Sequence, residues 1–361
     1  MKPTQELHNL GQSLWLDNIT RDLLDSGTLK RYIDEFSITG LTSNPTIFEH
    51  AISNSKSYDA EIGRLASTGL AGEELFFALA LQDLTRAGDL FASIHERTAG
   101  NDGFVSLEVS PLLAYDAKRS SAAAIALHTE ANCPNIFIKI PGTREGNLAI
   151  EEAIAAGAAI NVTLLFSREH YVASAEAYMR GLERRIAAGL APDVRSVASV
   201  FLSRWDSATI DKVPDRLRDK LGIAIGQQVY KAYRDILASD RWQRLSNFGA
   251  RPQRLLFAST GTKDPNASDV LYIGALAAPN TINTIPEKTL LAFADHGKLN
   301  GTLPPDGGDC ELVLDDFRKA GIDLDQLAAE LQSNGAKAFD KSWEKLLNSI
   351  EAKSKQLRLA S

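Results

Sequence analysis

The chain has 361 residues, 44% hydrophobic and 24% charged, with a formal net charge of −7 at pH 7. That balance, with a pI near 5.5, argues against nonspecific nucleic-acid binding, and no run of about 18 apolar residues offers a membrane span. Two cysteines (Cys133 and Cys310) and six scattered histidines supply neither a disulfide framework nor a zinc set. The N-terminus, Met1 to His8, lacks the apolar core of a signal peptide. The expectation is a cytoplasmic protein, built as one large α/β barrel or two average domains.

Taken in order, the first strand is predicted at Ser13–Asp17, followed by a helical pattern through Leu24. Ile38 to Thr46 reads as a strand running into a turn and a helix start, and Glu73 to Arg97 as a long helix. Phe104 to Ser110 reads as a strand, with strict alternation from Val105 onward, and Pro111 is placed to open a helix behind a Ser110 N-cap. Asn135 to Gly142 is a short strand entered after Pro134 and closed by Pro141-Gly142. A helix over 144–156 leads to a fifth strand over 158–166, and Ser167 caps a helix reaching about Ala188. Further strands fall at 196–201, 254–259 and within 281–285, with a long helix inside 213–239 and another opened by Pro286 and Glu287.

Strands alternating with helices imply a parallel sheet, and eight such units in roughly 300 residues fit a (β/α)8 TIM-type barrel better than an open sheet. The expected organisation is a single barrel domain over 1–361, with additional helices that include a C-terminal helical extension from about 301 to 361 packed on the barrel. Its last helix carries Phe339, Trp343, Leu347 and Ile350 on one stripe, which is expected to pack on the barrel exterior or on a second subunit.

The strands are not uniformly apolar. Leu14 and Leu16 alternate with Trp15 and Asp17, Leu107 and Val109 with Ser106 and Glu108, and Ile160, Val162 and Leu164 with Asn161 and Thr163. In the Asn135–Gly142 strand, Ile136, Ile138 and Ile140 share one face, while Asn135, Phe137 and Lys139 share the other. An antiparallel sheet with one wet face would also alternate in this way, but helix-length connections argue against it. In a parallel barrel the polar face points inward and gathers at the C-terminal rim, where sites on this fold are built. Asp17, Asn44, Glu108, Lys139, Asn161, Thr163 and Ser199 then converge on one pocket. An amine kept from water is favoured in its neutral, nucleophilic form. With two carboxylates for proton transfer and several neutral hydrogen-bonders, the set suits Schiff-base chemistry on a polyhydroxylated carbonyl compound. Neither a metal nor another cofactor is expected.

Five stretches resemble motifs of the transaldolases, in the order that family has them: Leu16 to Thr20, Gly40 to Phe48, Val105 to Ser110, Ile138 to Thr143 and Ile160 to Ser167. The resemblance spans about residues 12 to 297. It implies a class I, aldolase-type (β/α)8 enzyme of the non-oxidative pentose phosphate pathway that transfers a dihydroxyacetone unit between sugar phosphates, with no nucleic acid or membrane as partner, as a monomer or homodimer. It implies Lys139 as the imine-forming lysine, Asp17 as the carboxylate serving the C4 hydroxyl, and Glu108 with Thr163 as holders of the dehydration water. Asn44 and Asn161 would bond substrate hydroxyls. Ser199, Phe201 and Arg204 resemble the family's sixth-strand segment, with Arg204 a fork-shaped clamp for phosphate. Where many members carry Ser-Phe-Arg at the end of the seventh strand, this chain has Ser259-Thr260-Gly261-Thr262-Lys263, so Ser259 carries over and Lys263 is the candidate replacement for the arginine. The alternatives are an aldolase of the same superfamily that releases free dihydroxyacetone, and a non-catalytic barrel scaffold.

Overall fold

The computed structural model describes residues 1–299 and 301–360. In chain order, α1 (Pro3–Asn9) precedes β1 (Ser13–Asp17), and α2 (Arg21–Asp25) and α3 (Thr28–Phe36) precede β2 (Ile38–Thr42). Then come α4 (Pro45–Asn54), α5 (Asp59–Ser67), α6 (Gly72–Arg97) and β3 (Val105–Glu108), followed by α7 (Ala117–Ala131), β4 (Ile136–Pro141), α8 (Arg144–Ala156) and β5 (Ile160–Leu165). The second half runs α9 (Arg168–Ala187), β6 (Ser196–Phe201), α10 (Ser203–Thr209), α11 (Leu221–Ala238), α12 (Asp240–Asn247), β7 (Gln253–Ala258), α13 (Leu271–Ala275) and β8 (Ile282–Ile285). The chain then continues through α14 (Glu287–His296), α15 (Cys310–Lys319) and α16 (Leu324–Ala360).

All strand pairs are parallel, in the order β2-β1-β8-β7-β6-β5-β4-β3. The two end strands meet through Leu41 N–H to the Phe104 carbonyl at 2.9 Å and Gly103 N–H to the Thr39 carbonyl at 3.0 Å. Gly40 makes this seam possible. A Cβ there would come within 2.6 Å of the Phe104 carbonyl oxygen and 2.7 Å of the Trp15 ring. The ladder is thereby nearly closed, and the TIM-type barrel expected from the βα alternation is observed.

The alternation sorts side chains as the pleat requires. Ile136, Ile138 and Ile140 are fully buried, while Phe137 stacks on Phe104 at 4.1 Å and neighbours Trp15 at 6.3 Å in the barrel's lower layer. Below them the floor is polar. Asp102 accepts from Ser13 Oγ, from Trp15 Nε1 at 2.8 Å and from the Gly103 N–H at 2.9 Å. Arg254 lies beside it and donates to Ser13 Oγ at 2.7 Å, to the Thr281 carbonyl at 2.9 Å and to the Asn101 carbonyl at 3.0 Å. A buried carboxylate is tolerable only when its lone pairs are occupied in this way.

One local expectation changes. Pro111 does not open the helix behind β3: residues Pro111–Leu113 form a single 3-10 turn, and α7 starts at Ala117 behind Asp116, whose side chain accepts from Arg119 N–H at 3.0 Å. Ser110 makes no side-chain cap bond, and its hydroxyl instead donates to Glu73 at 2.9 Å. The last helix, α16, packs on its own barrel and reaches the C-terminal rim. Trp343 meets Phe76 edge-on at 4.9 Å and donates its indole N–H to Glu73 at 3.0 Å. Thr46 and Ser342 hydroxyls join α4 to α16 at 2.8 Å. Losing a buried aromatic of this size costs about 3–5 kcal/mol, which marks Trp343 as the main anchor of the helix.

Candidate active site

Strand register assembles the pocket floor. Lys139 is level with Glu108 on β3 and with Asn161 on β5, and Thr163 is level with Pro141. Lys139 Nζ lies 3.0 Å from Glu108 Oε2 and donates to the Ser43 carbonyl at 2.9 Å, with only 4% of the residue exposed. Burial pushes the Glu108 carboxyl above its ordinary range, Asp17 adds to the rise, and the Lys139 charge opposes it. Glu108 Oε1 and Thr163 Oγ1 are both buried without a hydrogen-bond partner among the described residues.

Asp17 ends β1, level with Thr42 of β2. The Thr42 hydroxyl donates to Asp17 Oδ1 at 2.7 Å and also meets the Thr284 hydroxyl at 2.6 Å. Burial raises the Asp17 carboxyl, while the Thr42 bond and the Lys139 and Lys263 charges pull it down. Asn44 caps α4 by accepting from Ile47 N–H at 3.0 Å, which leaves it amide N–H groups to offer. Under the pocket a hydrogen-bond chain crosses the barrel, Ser199 Oγ to Asn161 Oδ1 at 2.7 Å and Asn161 Nδ2 to Ser106 Oγ at 3.1 Å.

Above this floor is a cavity of about 270 Å³ at the C-terminal mouth. Asp17, Asn44, Lys139, Thr163, Ser199, Phe201, Arg204, Ser259 and Lys263 all line it. Glu108 and Asn161 are not on the wall but beneath it, at 3% and 0% exposure. Sequence reasoning missed Thr42, which holds Asp17, and Thr284, which meets the Thr42 hydroxyl, and it missed that Phe339 of α16 reaches the wall. Thr42 lies within the Gly40–Phe48 motif and could have been found there, whereas nothing local points to Phe339.

The mouth is cationic. The Arg204 guanidinium lies 5.2 Å from the Phe201 ring centre and 5.9 Å from that of Phe339. Neither Arg204 nor Lys263 forms an ion pair among the described residues. Asp206, the neighbour that could have neutralised Arg204, is turned away and buried: it accepts from Leu221 N–H at 2.9 Å, Gly222 N–H at 3.0 Å and Tyr272 Oη at 2.6 Å. Two free cations above an amine and two carboxylates suit an anionic, polar carbonyl compound.

Backbone strain sits at the same rim. Leu164, directly after Thr163, has φ +58°, and Ser259 has φ +53°, in the left-handed region that L residues enter at a cost. At Leu164 the β5–β6 register slips between Val162 and Leu165, so one extra residue is inserted in β5.

Fold and pocket together define the class: a TIM-type barrel enzyme with a polar cavity at its C-terminal mouth, the end where sites on this fold are built. The sequence profile of the family described as Transaldolase/Fructose-6-phosphate aldolase matches residues 14–350. A protein named Transaldolase from Saccharopolyspora erythraea is 43% identical over 355 residues, covering 96% of each chain. Proteins of the same name from a Parafrankia species and from Frankia alni are 41% and 42% identical, the first covering 97% and the second 96% of each chain. The chain belongs to the transaldolase/fructose-6-phosphate aldolase family.

Proposed function

We propose that the chain is a transaldolase transferring a dihydroxyacetone unit from a ketose phosphate (sedoheptulose 7-phosphate or fructose 6-phosphate) to an aldose phosphate (glyceraldehyde 3-phosphate or erythrose 4-phosphate), in the non-oxidative pentose phosphate pathway. It would act in the cytoplasm as a monomer or homodimer. The observation that carries the chemistry is the Lys139 Nζ to Glu108 Oε2 contact of 3.0 Å under a cavity overlooked by Asp17.

A proton resting on Glu108, whose carboxyl burial already pushes toward holding one, leaves the Lys139 lone pair free to attack the C2 ketone. The carbinolamine then loses its hydroxyl as water, taking a proton from Glu108. Glu108 Oε1 and Thr163 Oγ1, two buried polar atoms with unused capacity, suit a water that relays this proton. With the imine protonated, Asp17 accepts the C4 hydroxyl proton, the C3–C4 bond breaks, and its electron pair enters the iminium to give an enamine. The aldose leaves with the new aldehyde. The enamine attacks the acceptor aldehyde, Asp17 returns the proton to the new alkoxide, and hydrolysis of the imine frees Lys139. A carboxylate raised toward working pH is the better base for this step. Asn44 and Ser199 serve substrate hydroxyls, Asn161 braces Ser199 from beneath, and Arg204, with Ser259 and Lys263 across the mouth, takes the phosphate.

A fructose 6-phosphate aldolase reading shares every step to the enamine and differs in its fate, and the family description spans both. Incubation with fructose 6-phosphate and erythrose 4-phosphate decides. Sedoheptulose 7-phosphate in step with glyceraldehyde 3-phosphate is expected. Accumulation of free dihydroxyacetone with no sedoheptulose 7-phosphate would overturn the transfer reading.

A further inference from the structure

We propose that Gln332 on α16 is a positioning residue for the dehydration step, acting through the strained bulge of β5. The amide Nε2 of Gln332 donates to two carbonyls at once, Leu164 at 3.0 Å and Gly142 at 3.1 Å. Gly142 in turn donates its N–H to the Thr163 carbonyl at 2.7 Å. The result is a closed ring of bonds, Gln332 to Gly142, Gly142 to Thr163, and Leu164 back to Gln332. It encloses the peptide that carries Thr163.

That peptide needs such a hold. The bulge takes Leu164 out of the β5–β6 register, and Leu164 adopts φ +58°. A non-glycine residue stays in that region only when its surroundings over-determine it. Both N–H bonds of one side-chain amide are used for the purpose. They tie the exit of β4, three residues beyond Lys139, to the exit of β5, one residue beyond Thr163. Gln332 itself is not among the residues lining the cavity.

The same face of α16 continues along the rim. Gly335, less than one turn on, packs so closely that a Cβ would fall 3.0 Å from both Leu164 Cδ2 and Arg204 Nη1, and Phe339 a turn later lines the cavity. The helix is held in place independently by Trp343 on Glu73, Ser342 on Thr46 and Lys353 on Asp59 at 2.6 Å. Removing the Gln332 amide therefore frees the bulge without releasing the helix.

The inference rests on the reading of Thr163 as a partner of the dehydration water. Gln332→Ala and the nearly isosteric Gln332→Met, which keeps the packing but has no donor, are compared with Thr163→Val in single-turnover imine formation from fructose 6-phosphate, trapped by borohydride. Both Gln332 variants are expected to slow imine formation by about ten- to a hundredfold, with KM for the ketose phosphate little changed. Added to Thr163→Val, Gln332→Met should cause no further loss. If Thr163→Val slows imine formation and the Gln332 variants do not, or if they lower only the melting temperature, the positioning role is wrong. If Thr163→Val itself has no effect, the reading of Thr163 falls and the inference with it. Should Gln332→Ala fail to fold, Gln332→Met alone carries the test.

Discussion

Glu108→Gln isolates proton transfer from shape. The carboxyl is 3% exposed and 3.0 Å from Lys139 Nζ, so glutamine fits the same space and its amide oxygen can still accept from the amine. What it cannot do is give up a proton to the departing hydroxyl of the carbinolamine. A positioned general acid contributes typically 10²- to 10⁴-fold, or about 3–5 kcal/mol of barrier. Single-turnover imine formation, followed by quenching with borohydride, should slow by that factor, while substrate affinity changes little because Glu108 lies beneath the wall. Asp17→Ala is the control, expected to form the trapped adduct and fail in cleavage. A Glu108→Gln rate within about threefold of the parent would refute the assignment of dehydration to this carboxyl.

Two other perturbations test the surroundings. Thr42→Val removes the bond at 2.7 Å that lowers the Asp17 carboxyl. Asp17 must be ionised to accept a proton, so the acid limb of kcat should move to higher pH in the variant, and an unmoved limb would separate Asp17 from the titration. At the barrel floor, Asp102→Ala strands the donors on Ser13 and Trp15, while the Gly103 N–H keeps the Thr39 carbonyl. At about 1–3 kcal/mol per unsatisfied buried group, denaturant unfolding should show a loss of several kcal/mol, with activity per folded molecule unchanged.

Much of this arrangement can be read from the chain. Period-2 alternation separates the Ile136, Ile138 and Ile140 face from that of Lys139, and parallel register then puts Glu108 and Asn161 beside it. Alternation says which face a residue takes but not how deep it sits, so Glu108 and Asn161 read as wall residues although they lie below. Ser110 before Pro111 has the local chemistry of a cap, but its hydroxyl is turned to Glu73 and the helix starts later, behind Asp116. Asp206, two residues after Arg204 in the chain, is a buried anchor for the first residues of α11, which sequence proximity to Arg204 does not reveal. The stripe on α16 predicts an apolar face but not its partner. The closure that brings Gln332 to the ends of β4 and β5, more than 150 residues earlier, and Phe339 to the cavity wall has no local signature.

The central claim is that Lys139 forms the imine. Incubating the protein with fructose 6-phosphate, reducing with borohydride and mapping the adduct by mass spectrometry tests it directly. The account predicts one dihydroxyacetone-derived or hexose-phosphate-derived adduct, on Lys139 alone and lost in Lys139→Met. No adduct, or one on another lysine such as Lys263, would contradict it.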